Sequence, residues 1–287
     1  TPYLPAVHSG DAHLGPLEEA SLSDPLPEGS GHALLARLDQ LDVQDAPRLA
    51  LVVGQQAVPG LRADATVRGW TCSIEDELEF EDGERLSVLS FARAWPEATS
   101  TVVASTGSTN ADLMEGDHAV GDTLRAIQQT EGRGRRSAVW ASTTGDMTAS
   151  WVIHDGASPV PAHGLVQAAC ALATRDALVD VGCFLPTDLL LKWPNDILVH
   201  QGGPAKVGGW LIEARQHGKA TRVVAGVGLN LTDGPSAVDG TPRAHAEGTT
   251  ASSLHAALNA RLCSRLGQLA SAEGRRTTAE EAVAAYR

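Results

Sequence analysis

Aromatic residues make up only 4% of this 287-residue sequence, so stacked rings cannot dominate its interior. Ala, Gly, Val and Leu prevail instead, a composition that fits an α/β protein with tight backbone packing. Cysteine is scarce too. Cys72, Cys170, Cys183 and Cys263 are too scattered for metal-ligand spacing, and a disulfide framework favours closer clusters in a smaller domain. They read as reduced thiols, with Cys170 packed in a helix. No apolar run approaches the ~20 residues that span a bilayer. No signal peptide is visible, and a first residue of Thr1 rather than Met leaves the true start open. The expectation is a cytoplasmic enzyme without a membrane partner.

Positive charge is short, and unevenly so. The net charge is −13. Residues 1–97 hold 17 acids against 6 bases, whereas residues 98–287 hold 18 acids against 16 bases. Duplex DNA is a polyanion, so the acidic N-terminal part is a poor platform for it. One short helix and no basic recognition helix also argue against a helix-turn-helix. DNA is not an expected partner.

A hydrophobic content of 43% over 287 residues suits a soluble globular chain of one large domain or two ordinary ones. Residues 1–30 are rich in Pro, Gly, Ser and acids and read as a loosely ordered lead-in. The spacing of Leu34, Leu35, Leu38 and Leu41 predicts a short helix over 32–41. Strands are expected at 49–53, 65–74 and 85–91. Residues 75–84 carry seven acids in ten positions and read as a solvated turn or face. Residues 1–97 form an acidic region of unassigned fold.

The remainder, 98–287, is more regular. Strands are expected at 101–106, 123–129, 147–154, 189–192, 197–200, 207–214 and 221–231. A helix over 162–179 buries Leu165, Val166, Ala169, Leu172, Ala173 and Leu178. Ser252 or Ser253 caps a second helix reaching about residue 270, and a third begins near Thr278. The fold class expected is α+β: a mixed, largely antiparallel sheet with packed helices.

Five segments carry candidate chemistry. Gly132-Arg133-Gly134-Arg135-Arg136 combines close backbone approach with guanidinium forks; it suits a phosphate-bearing ligand, an exposed basic turn or a nucleic-acid patch. It matches neither GxxxxGK[ST] nor GxGxxG. Lys192-Trp193-Pro194-Asn195-Asp196 interrupts a pair of apolar strands, either as a simple turn or with Lys192 aimed into a cleft. Lys206-Val207-Gly208-Gly209-Trp210 opens another apolar strand. Gly226, Gly228 and Asn230 interrupt a hydrophobic strand, where the glycines alone would fit a bulge. Thr106-Gly107-Ser108-Thr109-Asn110 ends a strand and suits a helix N-cap.

In this order and spacing the segments resemble the biotin–protein ligase family. Its pattern of STN, Q-x-x-G-R-G-R-x(4)-W, K-W-P-N-D, K-x-x-G and G-x-G-x-N is met by Ser108-Thr109-Asn110, Gln129 with Gly132 to Arg135 and Trp140, Lys192 to Asp196, Lys206 with Gly209, and Gly226 with Gly228 and Asn230. The resemblance covers residues 100–287. It implies a class II synthetase-like catalytic domain over 98–287, lacking the family's small C-terminal β-barrel. It also implies that a biotin carboxylate attacks the α-phosphate of ATP, accompanied by Mg²⁺, to give biotinyl-5′-adenylate. A lysine of an acceptor biotin carboxyl carrier domain then displaces AMP. A homodimer is compatible with the resemblance.

Site residues follow by position. Arg133, Arg135, Lys192 and Lys206 are the expected catalytic cations. Ser108, Thr109, Asn110, Gln129, Gly132, Arg133, Gly134, Arg135 and Lys206 are the expected biotin site. Arg135, Trp140, Asn195, Asp196, Gly209 and Asn230 are expected at the nucleotide, and no protein metal site is expected. The sequence departs from the pattern at Ser137-Ala138-Val139, where a glycine and an arginine are missing, and at Ile127 and Glu131. Two other readings are weighed: a non-catalytic biotin- or nucleotide-sensing module, and a lipoate or octanoate transferase.

Overall fold

The computed structural model describes residues 49–55, 58–67, 70–79, 85–93, 95, 97–200, 202–234 and 240–286. The helix expected at 32–41 lies outside them. The chain divides into two units, Thr1–Glu97 and Ala98–Arg287.

In the first unit, β1 (Leu49–Gly54), α1 (Val58–Val67), β2 (Trp70–Glu79) and β3 (Arg85–Arg93) follow one another. The strands form an antiparallel sheet in the order β1-β3-β2. The strand expected over 65–74 is therefore corrected to the end of α1 and the start of β2. Val58, Leu61 and Ala65 are all buried, and their i, i+3, i+7 spacing is the helical signal that short-range alternation obscured. Of the solvated turn or face expected over 75–84, the turn is corrected for 75–79, and residues 80–84 lie outside the described residues. Residues 75–79 belong to β2, where Glu79 pairs with Arg85 and Glu77 is exposed. In this sheet β2 is an edge strand, a position that tolerates charge.

The second unit is built on a seven-stranded sheet. Its strands are β4 (Ser100–Thr106), β5 (Thr123–Gln129), β6 (Met147–Gly156), β7 (Leu189–Lys192), β8 (Asp196–His200), β9 (Pro204–His217) and β10 (Ala220–Leu229), in the order β4-β5-β6-β10-β9-β8-β7. The β4–β5 pair is parallel and all the others are antiparallel. This is the mixed, largely antiparallel α+β architecture expected. The helices are α2 (Thr109–Met114), α3 (His163–Asp180), α4 (Ala251–Gln268) and α5 (Ala272–Ala285). Among the described residues no helix is long and apolar enough to cross a membrane.

Small side chains let α3 lie close to the sheet: Ala168, Ala169, Cys170, Ala171, Ala173 and Ala177 are all buried. Two tryptophans lie at the centre of the sheet. Trp151 of β6 and Trp210 of β9 are fully buried, 6.0 Å apart. Each indole N–H finds a helix acceptor: Trp151 Nε1 donates to Asn259 Oδ1 at 2.9 Å, and Trp210 Nε1 to Thr174 Oγ1 at 2.8 Å. Those two bonds tie the centre of the sheet to α4 and α3. Between the helices, Arg261 pairs with Asp180 and Arg265 with both Asp176 and Glu281.

Two helix starts differ from expectation. Thr250, not Ser252 or Ser253, caps α4, its side chain accepting from Ser253 N at 3.1 Å. Helix α5 begins at Ala272 under a Ser271 cap that accepts from Gly274 N at 2.9 Å. Its first turn, Ala-Glu-Gly-Arg, lacks apolar periodicity, so the cap alone marked that start. Ser108 occupies the N-cap position of α2 but makes no side-chain capping bond.

Candidate active site

A cavity of ≈ 280 Å³ opens over the middle of the second sheet, walled by β6, β9, β10, the start of α2 and the loop after β5. Its two ends differ chemically.

One end is a hydrogen-bonded belt. Gln129 Oε1, at the end of β5, accepts from the backbone N–H of Thr109 at 2.8 Å and from its hydroxyl at 3.0 Å. The Thr109 hydroxyl lies 2.7 Å from Ser150 Oγ, which donates to Asn110 Oδ1 at 2.6 Å. Asn110 Nδ2 then donates to Leu211 O at 3.1 Å and to Glu213 Oε2 at 2.8 Å. Gly226 makes this arrangement sterically possible: a Cβ there would overlap the Asn110 amide and touch Ser150 Oγ. Ser108, also buried, completes the wall.

The other end carries charge. Lys206 Nζ is 2.7 Å from Asp196 Oδ1 and 5.7 Å from the centroid of the Trp140 ring. Arg135 Nη1 approaches Asn195 Oδ1 at 3.5 Å, and Asn195 Nδ2 is fixed by Trp210 O at 3.1 Å. Trp140 rests flat on Gly228, where a Cβ would overlap the indole. The glycines of β10 thus leave room for neighbouring side chains. The β-bulge of that strand lies at Val223/Val224, not at the glycines.

The arginine loop after β5 folds back on itself. Trp140 N donates to Gly132 O at 2.9 Å and Gly134 N to Ala138 O at 2.7 Å, while Arg136 takes a left-handed conformation at φ 53°. Gly132 has no room for a side chain because Trp140 O occupies that space.

Asn230 forms part of the floor. Its Nδ2 donates to Lys206 O and Ala244 O, both at 3.0 Å, while its buried Oδ1 has no partner among the described residues. The buried Trp140 Nε1 likewise has none. Below Asn230 lies a buried ion pair, with Arg243 Nη2 2.7 Å from Asp146 Oδ2. Asp146 also accepts from Thr143, Leu231 and Thr232. Burial pushes the Asp146 carboxyl up, but its bonds from Thr143, Arg243 and Leu231 outweigh that and hold it below its ordinary value.

Of the residues expected at a site, the cavity wall brings together Ser108, Thr109, Asn110, Gln129, Arg133, Gly134, Arg135, Trp140, Asn195, Asp196, Lys206, Gly209 and Asn230. Two stand outside it. Gly132 supports the arginine loop from behind. Lys192 is half-exposed, its Nζ 4.0 Å from Asp196 Oδ2, because it pairs with Asp196 across the mouth of the β7–β8 hairpin. The expected turn reading of 192–196 holds for the backbone, since the chain reverses there, and Asn195 and Asp196 still reach the cavity.

Sequence reasoning missed Ser150, Glu213, Asp146 and Arg243. Ser150 and Glu213 are each one of several polar residues in strands β6 and β9, so residue type alone did not single them out. Arg243 lies in an irregular segment that offered none.

The family model described as "Biotin/lipoate A/B protein ligase family" matches residues 102–230, the segment that supplies nearly all of this wall. A biotin–[acetyl-CoA-carboxylase] ligase of Mycobacterium tuberculosis is 41% identical over 146 residues, covering 48% of this chain and 51% of that protein. Its namesake in Paracoccus denitrificans is 34% identical, covering 47% and 56%. The chain thus spans about half the length of these curated relatives. Among solved structures, the biotin protein ligase of Leishmania major in complex with biotin superposes with a TM-score of 0.53 at 20% identity, covering 66% of this chain and 81% of that one. At that identity the likeness speaks for the fold alone. Through residues 102–230, then, this chain is similar to the biotin/lipoate A/B protein ligase family, and the curated relatives that align with it are biotin–[acetyl-CoA-carboxylase] ligases.

Proposed function

We propose that the second unit activates biotin with ATP and transfers the biotinyl group to a lysine of an acceptor carrier domain. The observation that carries this reading is the division of one cavity into a neutral polar belt and a cationic end. A ureido ring offers N–H donors and a carbonyl acceptor, which Thr109, Gln129 and their neighbours match. A carboxylate meeting a phosphate needs fixed positive charge between them, and Arg133, Arg135 and Lys206 supply it. The unpartnered Trp140 Nε1 and Asn230 Oδ1 offer a donor and an acceptor to a purine, since buried polar groups call for partners.

In the first step a biotin carboxylate oxygen bonds to the α-phosphorus and the bond to the bridging oxygen breaks, releasing pyrophosphate. In the second, the acceptor ε-amine attacks the biotinyl carbonyl, AMP leaves and the amine loses its proton. Lys206 and Arg135 stand where the negative charge of the first step gathers. Mg²⁺ would accompany the nucleotide. Asp196 is the carboxylate of the cavity wall, and among the described residues no cluster of three metal-ligating side chains occurs. Such a donor set suits an ion held mainly by phosphate oxygens.

The test is incubation with biotin, ATP and Mg²⁺ followed by mass spectrometry for biotinyl-5′-adenylate. Its formation is expected. Biotin binding with no adenylate would favour the non-catalytic sensor, and binding of lipoate in place of biotin would favour an acyl transferase.

A further inference from the structure

The functional reading gives no task to Glu213, although one of its oxygens meets two wall residues at once. Glu213 Oε2 accepts from Asn110 Nδ2 at 2.8 Å and lies 3.4 Å from Arg133 Nη2. An ionised carboxylate can only accept, so Glu213 fixes which way the Asn110 amide faces: nitrogen toward β9, oxygen toward Ser150. The same oxygen keeps the Arg133 guanidinium beside the belt. Lys206, by contrast, is paired with Asp196 among the charged groups, and Arg135 meets the neutral Asn195.

We propose that Glu213 is an internal stand-in for a ligand carboxylate, pairing with Arg133 at the belt until the anionic end of a ligand displaces it from that guanidinium. The inference rests on the biotin-binding reading. A guanidinium fork binds a carboxylate in two-point fashion, so a ligand anion can replace Glu213 on Arg133 without leaving the cation unpaired. Glu213 then keeps its bond to Asn110, and the belt is undisturbed. A ligand with a neutral end offers no such exchange and leaves the Arg133–Glu213 pair in place. Both members of the pair are partly exposed, so the contest is between two weak attractions and is readily reversed.

Calorimetric titrations with biotin and with biotin carboxamide, which lacks only the anionic end, test this. Glu213→Gln retains an acceptor for Asn110 and removes the charge. It should bind biotin about two- to five-fold more tightly, the scale of a partly exposed ion pair, and bind the carboxamide as the parent does. In an Arg133→Ala background the same substitution should have no effect on either ligand. Arg133→Ala alone, in an exposed loop position, should weaken biotin and spare the carboxamide. Equal changes for both ligands, weaker biotin binding by Glu213→Gln, or an unchanged effect without Arg133 would each overturn the proposal. If the parent protein binds neither ligand, the functional reading itself fails, a distinct outcome.

Discussion

Gly228 lies flush beneath the indole of Trp140, with no space for even one carbon between them. Strand β10 is hydrogen-bonded on both sides here, to Thr148 of β6 and Gly209 of β9, so its backbone cannot retreat. Gly228→Ala must therefore displace Trp140 and, with it, the ring that lies near Lys206. Nucleotide affinity should fall about tenfold, equivalent to ~1.4 kcal/mol, while the biotin belt is little affected. An unfolding free energy lower by about 1–3 kcal/mol is the accompanying cost of overpacking. Unchanged ATP binding would remove Trp140 from the nucleotide site.

The two lysines of the expected catalytic set are not equivalent. Lys206 is largely buried in the wall and bonded to Asp196, whereas Lys192 is half-exposed and 4.0 Å from the same carboxylate. Lys206→Ala should lower the rate of adenylate formation by about 10²–10³, the scale of a lost transition-state donor. Lys192→Ala should cost less in the same single-turnover assay. A reversed order would mean that the site must close further before it reacts.

Arg243 is only 6% exposed at its side chain and depends on Asp146 for its counter-charge. Asp146→Asn leaves that cation buried and unpaired, which costs about 3–5 kcal/mol in comparable cases. The native carboxyl is held below its ordinary 3.8, so the unfolded chain binds the proton more readily. Its stabilisation is complete well above that value and is lost as pH falls from it through the lowered native one. Urea titrations at neutral and acid pH should show Asp146→Asn destabilised at pH 7, with the difference shrinking below about pH 4. A pH-independent difference would place the pair's contribution elsewhere.

How much of this was legible depended on the period of the signal. Strands β5 and β7 begin and end where alternation put them, and α3 is shifted by a single residue, because long apolar runs with consistent spacing override local ambiguity. Helix α1 was not read, since Leu61, Ala63, Ala65 and Val67 also alternate with polar residues in strand fashion. The glycine- and arginine-bearing turns of the site were visible because their residue types conflict with the strands around them. Ser150 and Glu213 were hidden for the opposite reason: each is one of several polar residues in its strand, and which of them faces the cavity depends on register. Register is a property of the assembled sheet, where Ser150 pairs with Gly226 and Glu213 with Val224. Asp146 and Arg243 are 97 positions apart, and no local pattern joins them.

His255 offers a test of the fold apart from any ligand. Its ring stacks on Trp151 at 5.1 Å, and its Nε2 lies 2.9 Å from Thr123 Oγ1. Burial, helped by the Arg125 charge, lowers its pKa from 6.5 to about 4. The native protein thus keeps this histidine neutral at pH values where the unfolded chain protonates it. Between pH 6.5 and about 4 stability should fall with acidification, this one group contributing a slope of at most about 1.4 kcal/mol per pH unit. Above 6.5 its contribution is complete. His255→Gln should flatten that limb of the curve, measured by urea denaturation, and an NMR titration should find the ring neutral at pH 5.5. A protonated ring at that pH would show that the α4–β6 packing admits water and charge.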